Sequence, residues 1–356
     1  MVLSEFQSYT LFFAILIISY VFPGIDDRLK LKLWNGKYFN RLFTCLLFLF
    51  LFLLLTYRNC GVDTPTYEYT FVHDRSNSNY DLVFFRLLHL VRKYTNNILV
   101  WQGVMSGVTL IGFFGAAEYL KDITDRKLFY LYMIVYLYFF SFNYSRMMMS
   151  VGVLMFAFSL LVTEHYKGYV ITNIVAGLIH FTSFSVLLIA LLFYLGRNHR
   201  RVLIVIGLFG AILIRVRPEI IKYLTFSEHY SGYFSDSLNT SGGIGTIIMV
   251  LPYFALLFYC DRNLDNRIVT LMYVLLIGNV ALGFLGYAVP VASRIARFTL
   301  SFPCIFIPAY LANNNSRNLR VTHSSRVLYI VLALLIYFGF IQTTFLNIGI
   351  VPFIFR

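Results

Sequence analysis

Three arginines, Arg58, Arg146 and Arg294, stand beside long apolar runs, in TYRNCG, NYSRMMM and VASRIARF. A planar guanidinium grips phosphate or carboxylate through two parallel hydrogen bonds. Arginines gathered from several helix ends therefore suit one multiply charged anion, and Arg297 extends the set; the alternative for each is snorkelling to lipid headgroups. His180, in GLIHFTSF, is a lone imidazole inside an apolar run. Imidazole titrates near neutrality and suits proton transfer, although such a histidine also serves simply to pack helices. Asp63, Tyr67 and Glu68 share RNCGVDTPTYEYTF. The two carboxylates are candidates for base chemistry or for binding sugar hydroxyls, or else partners of Arg58 in a capped loop, and Tyr67 joins them as a substrate-binding candidate. Tyr230 and Tyr233, three residues apart, offer a platform for a sugar ring or form part of an interfacial aromatic belt.

Missing motifs narrow the chemistry. The chain has no P-loop and no GxGxxG, so nucleotide-driven transport lacks support, and neither HExxH nor GxSxG occurs. There is no DxD: Asp26 and Asp27 are adjacent, and Asp122 and Asp125 are three apart. A carboxylate-bound metal facing a nucleotide-sugar pyrophosphate is therefore not expected; no cofactor is expected, and anion handling falls to arginine. Cys45, Cys60, Cys260 and Cys304 form no CxxC.

These residues need elements to hold them, and composition says which. Of 356 residues 59% are hydrophobic and only 13% charged, about half the charge of a soluble domain, with a mean hydropathy of +0.73. The chain reads as an all-α polytopic membrane protein, a single membrane domain over 1–356. The net charge of +13 comes in short clusters between apolar runs, which argues against nucleic acid and for anionic lipid or phosphate-bearing partners. Apolar runs, the candidates for spanning helices, lie near 6–22, 42–57, 98–117, 128–142, 147–163, 202–216, 246–260, 268–287, 295–311 and 327–345. No cleavable signal peptide is evident. The Lys/Arg bias places loops 23–41, 118–127 and 164–169 in the cytoplasm. GRNHRR at 196–201 is cytoplasmic by the same rule, so both ends of the apolar stretch 170–195 lie on one side. That stretch reads as a short helical hairpin with His180 at its outer tip, giving about twelve segments with both termini outside. Two outer segments are long, 58–97 and 217–245. The first contains DLVFFRLLHLVRKY, patterned as an amphipathic helix in the headgroup region. Twelve of the 29 Lys and Arg remain on or near the outer side, ten of them arginines, against positive-inside pressure and at a cost of a few kcal/mol each near hydrocarbon.

From about residue 40 onward the sequence resembles the EpsG-like branch of Wzy-type polysaccharide (O-antigen) polymerases. The resemblance rests on TYRNCGVDTPTYEYTF, NYSRMMMSVGVLMFAFSL, GLIHFTSFSVLLIAL, HYSGYFSDSLNTSGGIGT, VPVASRIARFTLSF and IVPFIFR. The chain departs at Met147, where the family commonly has Gln, and at Phe298 and Phe353, where Tyr is usual. The resemblance implies an inner-membrane, metal-independent glycosyltransferase, GT-C-like by analogy, working at the periplasmic face on repeat units linked to undecaprenyl diphosphate, with a flippase and a chain-length regulator as partners. Arg58, Arg146 and Arg294 would stabilise the departing diphosphate, and His180 or Asp63 would accept the proton. A lipid-linked oligosaccharide flippase, or a ligase or acyltransferase on the same carriers, are the competing classes; the two similar halves expected of many transporters are absent.

Overall fold

The computed structural model describes residues 1–29, 31–32, 38–39, 41–73, 81–199, 202–203, 205–207, 209, 265–286, 290–316, 323–344 and 349–356. Helices dominate: α1 (Glu5–Arg28), α2 (Leu42–Thr56), α3 (Thr64–His73), α4 (Leu82–Tyr94), α5 (Ile98–Tyr119), α6 (Arg126–Tyr136), α7 (Ser145–Val162), α8 (Tyr166–Ile179), α9 (Leu187–Asn198), α10 (Asn266–Gly286), α11 (Pro290–Thr299), α12 (Phe302–Ser316) and α13 (His323–Thr344). Short 3₁₀ turns follow α6 at Tyr138–Phe142 and α8 at Phe181–Val186. A ribbon of two residues a side, Leu31–Lys32 with Tyr38–Phe39, decorates the loop after α1. Among the described residues five helical stretches are long and apolar enough to cross a membrane: Glu5–Arg28, Ile98–Tyr119, Ser145–Val162, Phe181–Asn198 and Ile295–Ala312. The protein is an all-α polytopic membrane protein, as its apolar runs require.

The described residues form two compact units, Met1–Phe184 with Pro303–Ser316 and Ile336–Arg356, and Ser185–Phe302 with Arg317–Leu335. In the first, side-chain contacts show which helix ends lie together. At one end the Asp26 carboxylate accepts the N–H groups of Phe43 and Thr44 at 3.0 and 2.7 Å, capping α2 from the end of α1. Beside it Arg126 donates to Asp27 at 2.6 Å and to Glu118 at 2.8 Å, and Arg41 pairs with Glu118 at 2.8 Å. Asp26, Asp27 and Arg41 of loop 23–41 and Glu118 and Arg126 of loop 118–127, both assigned to the cytoplasm by charge, are thus gathered at one end. The opposite end holds both termini. Leu3 and Asn59 donate backbone N–H groups to the carbonyls of Phe353 and Ile354 at 3.0 and 2.7 Å, and Phe355 donates to Met1 at 2.8 Å. Both termini therefore share a side with the start of segment 58–97, in agreement with the alternation read from the loops.

Three local expectations gain detail. The stretch 170–195 breaks at His180, whose backbone is extended (φ −144°, ψ 109°) between α8 and the 3₁₀ turn. The run 295–311 is interrupted: α11 ends at Thr299 and α12 starts at Phe302. The amphipathic helix forms as α4, but its apolar side is not left to lipid. Phe84 and Leu88 pack into a core with Phe71, Trp101, Met105, Met149 and Ile179, drawn from α3, α5, α7 and α8. Arg86, His89 and Lys93 occupy its exposed side. The runs 202–216 and 246–260 and the loop 217–245 lie largely or wholly outside the described residues.

Helix α7, which carries Arg146, is set against α5 by backbone contact. A Cβ built at Gly112 would lie 2.2 Å from the Gly152 carbonyl oxygen, and one at Gly152 would lie 2.5 Å from the Thr109 oxygen. Small residues of this kind let membrane helices approach closely. Gly112→Ala or Gly152→Ala is expected to destabilise the protein by about 1–3 kcal/mol through overpacking. Gly115→Ala serves as the control, because its Cβ would meet only the Phe156 ring at 3.4 Å. Thermal unfolding in detergent should separate the first two variants from the third; three equal midpoints would refute the tight crossing.

Candidate active site

The loop after α2 begins with Arg58, and its guanidinium turns inward. Nε donates to the Phe142 carbonyl at 3.1 Å, while the two terminal nitrogens reach the Leu55 carbonyl and the Ser145 hydroxyl. Arg58 is only 2% exposed. It satisfies a carbonyl in the last turn of α2 and is surrounded by Ser106, Thr109, Ser141 and Ser145. Three residues on, Gly61 has φ +95°, and a Cβ there would strike the Phe142 oxygen at 2.2 Å, so only glycine fits. The turn delivers Asp63, whose N–H donates to Asn143 Oδ1 at 3.0 Å, to the start of α3.

From α3 the Tyr67 hydroxyl accepts the backbone N–H of Arg146 at 3.3 Å. That N–H belongs to the first turn of α7, where helix donors lack intrahelical partners. The Arg146 guanidinium lies 5.6 Å from the Phe84 ring centroid, and its Nη1 pairs with Asp81 Oδ2 at 3.0 Å. The same Asp81 oxygen lies 3.7 Å from His180 Nδ1. The other, Oδ1, accepts the N–H of Phe181 at 2.6 Å. The side chains of Asp81 and His180 are 7% and 9% exposed, whereas that of Arg146 is 33% exposed. The cluster thus has a dry carboxylate–imidazole pair and one cation open to solvent or ligand.

Asp81 is the residue that sequence reasoning missed. It occupies the N-cap position of α4, where a carboxylate ordinarily bonds the helix's own N–H groups. Here it makes no such bond and adopts the left-handed conformation, φ 58° and ψ 44°, which aspartate tolerates better than most residues. That backbone turns the carboxylate across to the His180 break, 100 residues away in sequence. Burial opposes its ionisation, but the neighbouring His180, the Arg146 charge and the Phe181 N–H together outweigh burial and hold the carboxyl below its ordinary range. Asp81 is therefore ionised at neutral pH.

The break at His180 is built as firmly. The His180 carbonyl accepts the Ser183 N–H at 2.9 Å. Ser150 on α7 donates to the Ala176 carbonyl at 3.0 Å and bonds the Ser183 hydroxyl. All four elements α3, α4, α7 and α8 converge here on the apolar core already described.

The profile of the EpsG family matches residues 41–355, which spans every residue of this cluster. The chain belongs to the EpsG family. It is accordingly a multi-pass membrane protein of polysaccharide biosynthesis, of the glycosyltransferase-like polymerase type. No curated protein and no solved structure matches the chain.

Within this EpsG-family protein the first unit brings Arg146, His180 and Tyr67 together, with Asp63 beside Asn143 at the same end. Glu68 is engaged elsewhere, pairing with Arg356, which also donates to Asn59 Oδ1 at 3.1 Å. Arg58 sits behind the cluster as a buried anchor. Arg294 and Arg297 lie on α11 in the second unit, where Asn279 of α10 donates to the Ala296 carbonyl and the Thr299 hydroxyl, both at 3.0 Å; the Arg294 side chain lies outside the described residues. Tyr230 and Tyr233 lie outside them as well. Among the described residues no three His, Cys, Asp or Glu side chains cluster as metal ligands do.

Proposed function

We propose that this protein polymerises glycan repeat units carried on undecaprenyl diphosphate, transferring the growing chain from its lipid onto the next lipid-linked unit at the periplasmic face of the bacterial inner membrane. The observation that carries the reading is the Arg146–Asp81–His180 cluster: an open guanidinium fork beside a dry carboxylate–imidazole pair, at the end of the bundle shared by both termini. An acceptor hydroxyl attacks the anomeric carbon of the donor sugar. Its proton passes to His180, the bond from that carbon to the lipid diphosphate breaks, and the diphosphate departs with its charge. Arg146 meets that charge as it develops, helped by the positive end of the α7 dipole. Asp81 steadies the imidazolium, and Tyr67 fixes the first turn of α7 on which Arg146 stands. Asp63 is the other base within this reading, and Arg58 holds the loop that presents it. Arg294 and Arg297 are the anion-binding candidates of the second unit, and Tyr230 and Tyr233 offer a surface for sugar rings. The reaction uses no metal or organic cofactor, on a GT-C-like scaffold, and a flippase and a chain-length regulator work beside it.

Deleting the gene tests the reading. Surface glycan should fall back to single capped repeat units, while undecaprenyl-linked single units still reach the periplasm. Accumulation of those units in the cytoplasmic leaflet would instead make the protein a flippase, and normal-length chains left without a surface acceptor would make it a ligase.

A further inference from the structure

The segment 353–356 runs antiparallel to the loop after α2. Arg58 and Phe355 are opposite partners, the Asn59 N–H donates to the Ile354 carbonyl, and the Arg356 N–H donates to the Tyr57 carbonyl, both at 2.7 Å. Phe353 anchors the segment: it is fully buried and meets the rings of Phe12 and Phe142 edge to face. Side chains alternate along such a ribbon, and residues directly opposite one another share a face. Arg58 therefore turns inward, while Tyr57, Asn59 and Arg356 project together from the other face. Exposure follows that alternation, with Tyr57 at 44% and Arg58 at 2%, and with Asn59 exposed. Glu68 reaches the same outward face from α3 and pairs there with Arg356.

We propose that Tyr57, Asn59, Glu68 and Arg356 form a carbohydrate subsite, which takes a neutral sugar residue of the glycan through two neighbouring hydroxyls. This rests on the reading that lipid-linked glycan is the substrate. Arg356 serves Glu68 Oε1 and Asn59 Oδ1 through one nitrogen, Nη2. Among the described residues its Nε and Nη1, the Asn59 amide nitrogen and the second Glu68 oxygen make no further hydrogen bond. The Arg356 and Glu68 side chains are 22% and 33% exposed. A hydroxyl both donates and accepts, so one sugar hydroxyl donates to the open Glu68 oxygen while its neighbour accepts from the guanidinium or the amide. The ion pair exists before the ligand arrives, and this preorganisation lowers the ordering cost of binding. The pair is formally neutral, so its field does not select an acidic sugar. Tyr57 adds an apolar ring face for the sugar to pack on. Glu68 directly follows Tyr67, whose hydroxyl accepts the Arg146 N–H, so α3 joins the subsite to the Arg146 cluster.

The test uses the full chain in lipid nanodiscs and two probes: the repeat-unit oligosaccharide released from its lipid by mild acid, and a short-chain polyprenyl diphosphate carrying no sugar. Glu68→Gln keeps the size of the side chain and an oxygen for Arg356. It should weaken oligosaccharide binding about tenfold, the loss of one hydrogen bond to a charged group. Tyr57→Ala leaves the backbone bond to Arg356 and the ion pair in place and should weaken it about 2–10-fold. Both variants should bind the sugarless diphosphate as the wild type does. If the Glu68–Arg356 pair only holds α3 in place, Glu68→Gln loosens Tyr67 and the first turn of α7. Binding of the two probes then falls together and Tyr57→Ala changes neither; that outcome overturns the subsite. A wild type that binds no oligosaccharide overturns it as well. Oligosaccharide binding that both variants weaken, in a strain whose deletion leaves chain length normal, supports the subsite and overturns only the polymerase reading.

Discussion

Replacing Arg146 by alanine is expected to abolish polymerisation while leaving the protein in the membrane. Loss of a single donor aimed at developing transition-state charge lowers rates by about 10²–10³, and Arg146 is asked to neutralise a whole diphosphate with a desolvated pair at its back. Lysine should rescue poorly, because a point charge cannot reproduce the fork that serves Asp81 and a phosphate oxygen together. The variant also strands the Asp81 carboxylate in a site 7% exposed, so part of any loss could reflect a damaged fold. Asp81→Asn in the Arg146→Ala background removes that stranded charge. Thermal stability should then recover and activity should not. Recovery of both would make Arg146 a structural ion-pair partner and end its catalytic assignment. Arg294→Ala is likewise expected to abolish polymerisation without removing the protein from the membrane. EDTA should leave wild-type turnover on purified lipid-linked substrate unchanged; loss restored by a divalent ion would transfer the charge-neutralising role from arginine to a metal.

The membrane architecture was legible because lipid leaves the backbone few choices: apolar runs of about 20 residues must be helices, and Arg41 and Arg126, from loops 23–41 and 118–127, do end up at one end of the first unit. The individual candidate residues were legible by type, since an arginine or a histidine beside hydrocarbon stands out against its surroundings. Their partners were not. Arg58, Arg146 and Arg294 look alike in sequence, yet Arg58 is enclosed by the carbonyls of Leu55 and Phe142 while Arg146 remains open. Nothing local distinguishes them; the difference lies in where the 3₁₀ turn Tyr138–Phe142 places its carbonyls. Glu68 looked equivalent to Asp63 and is instead tied to Arg356, 288 residues away. Asp81 had the sequence signature of an ordinary helix N-cap, and its actual use depends on a left-handed backbone and on a contact across 100 residues. Local pattern reports periodicity and caps, and it is silent about which loop returns to which helix end.

His180→Ala is expected to lower turnover by about 10²–10⁴ while the affinity for the lipid-linked donor stays close to that of the wild type, the range set by a positioned general base. The geometry explains why the effect should fall on rate rather than on binding. His180 is nearly enclosed at 9% exposure and faces Asp81 across 3.7 Å, so its replacement removes neither Arg146 nor the first turn of α7. A helix-packing histidine gives a different pattern: His180→Gln, which keeps much of the volume and a hydrogen-bonding end, should then retain most of the activity. For a base, His180→Gln should be nearly as slow as alanine and should also lose the acidic limb of the pH–rate profile, because the group whose deprotonation that limb reports is gone. Asp63→Asn provides the contrast within the same reading. Its N–H contact to Asn143 does not need the carboxylate, so the variant should fold. If Asp63→Asn removes the acidic limb and His180→Gln leaves it in place, the proton goes to Asp63, and the carboxylate–imidazole pair at the head of α4 is there to hold the break between α8 and α9.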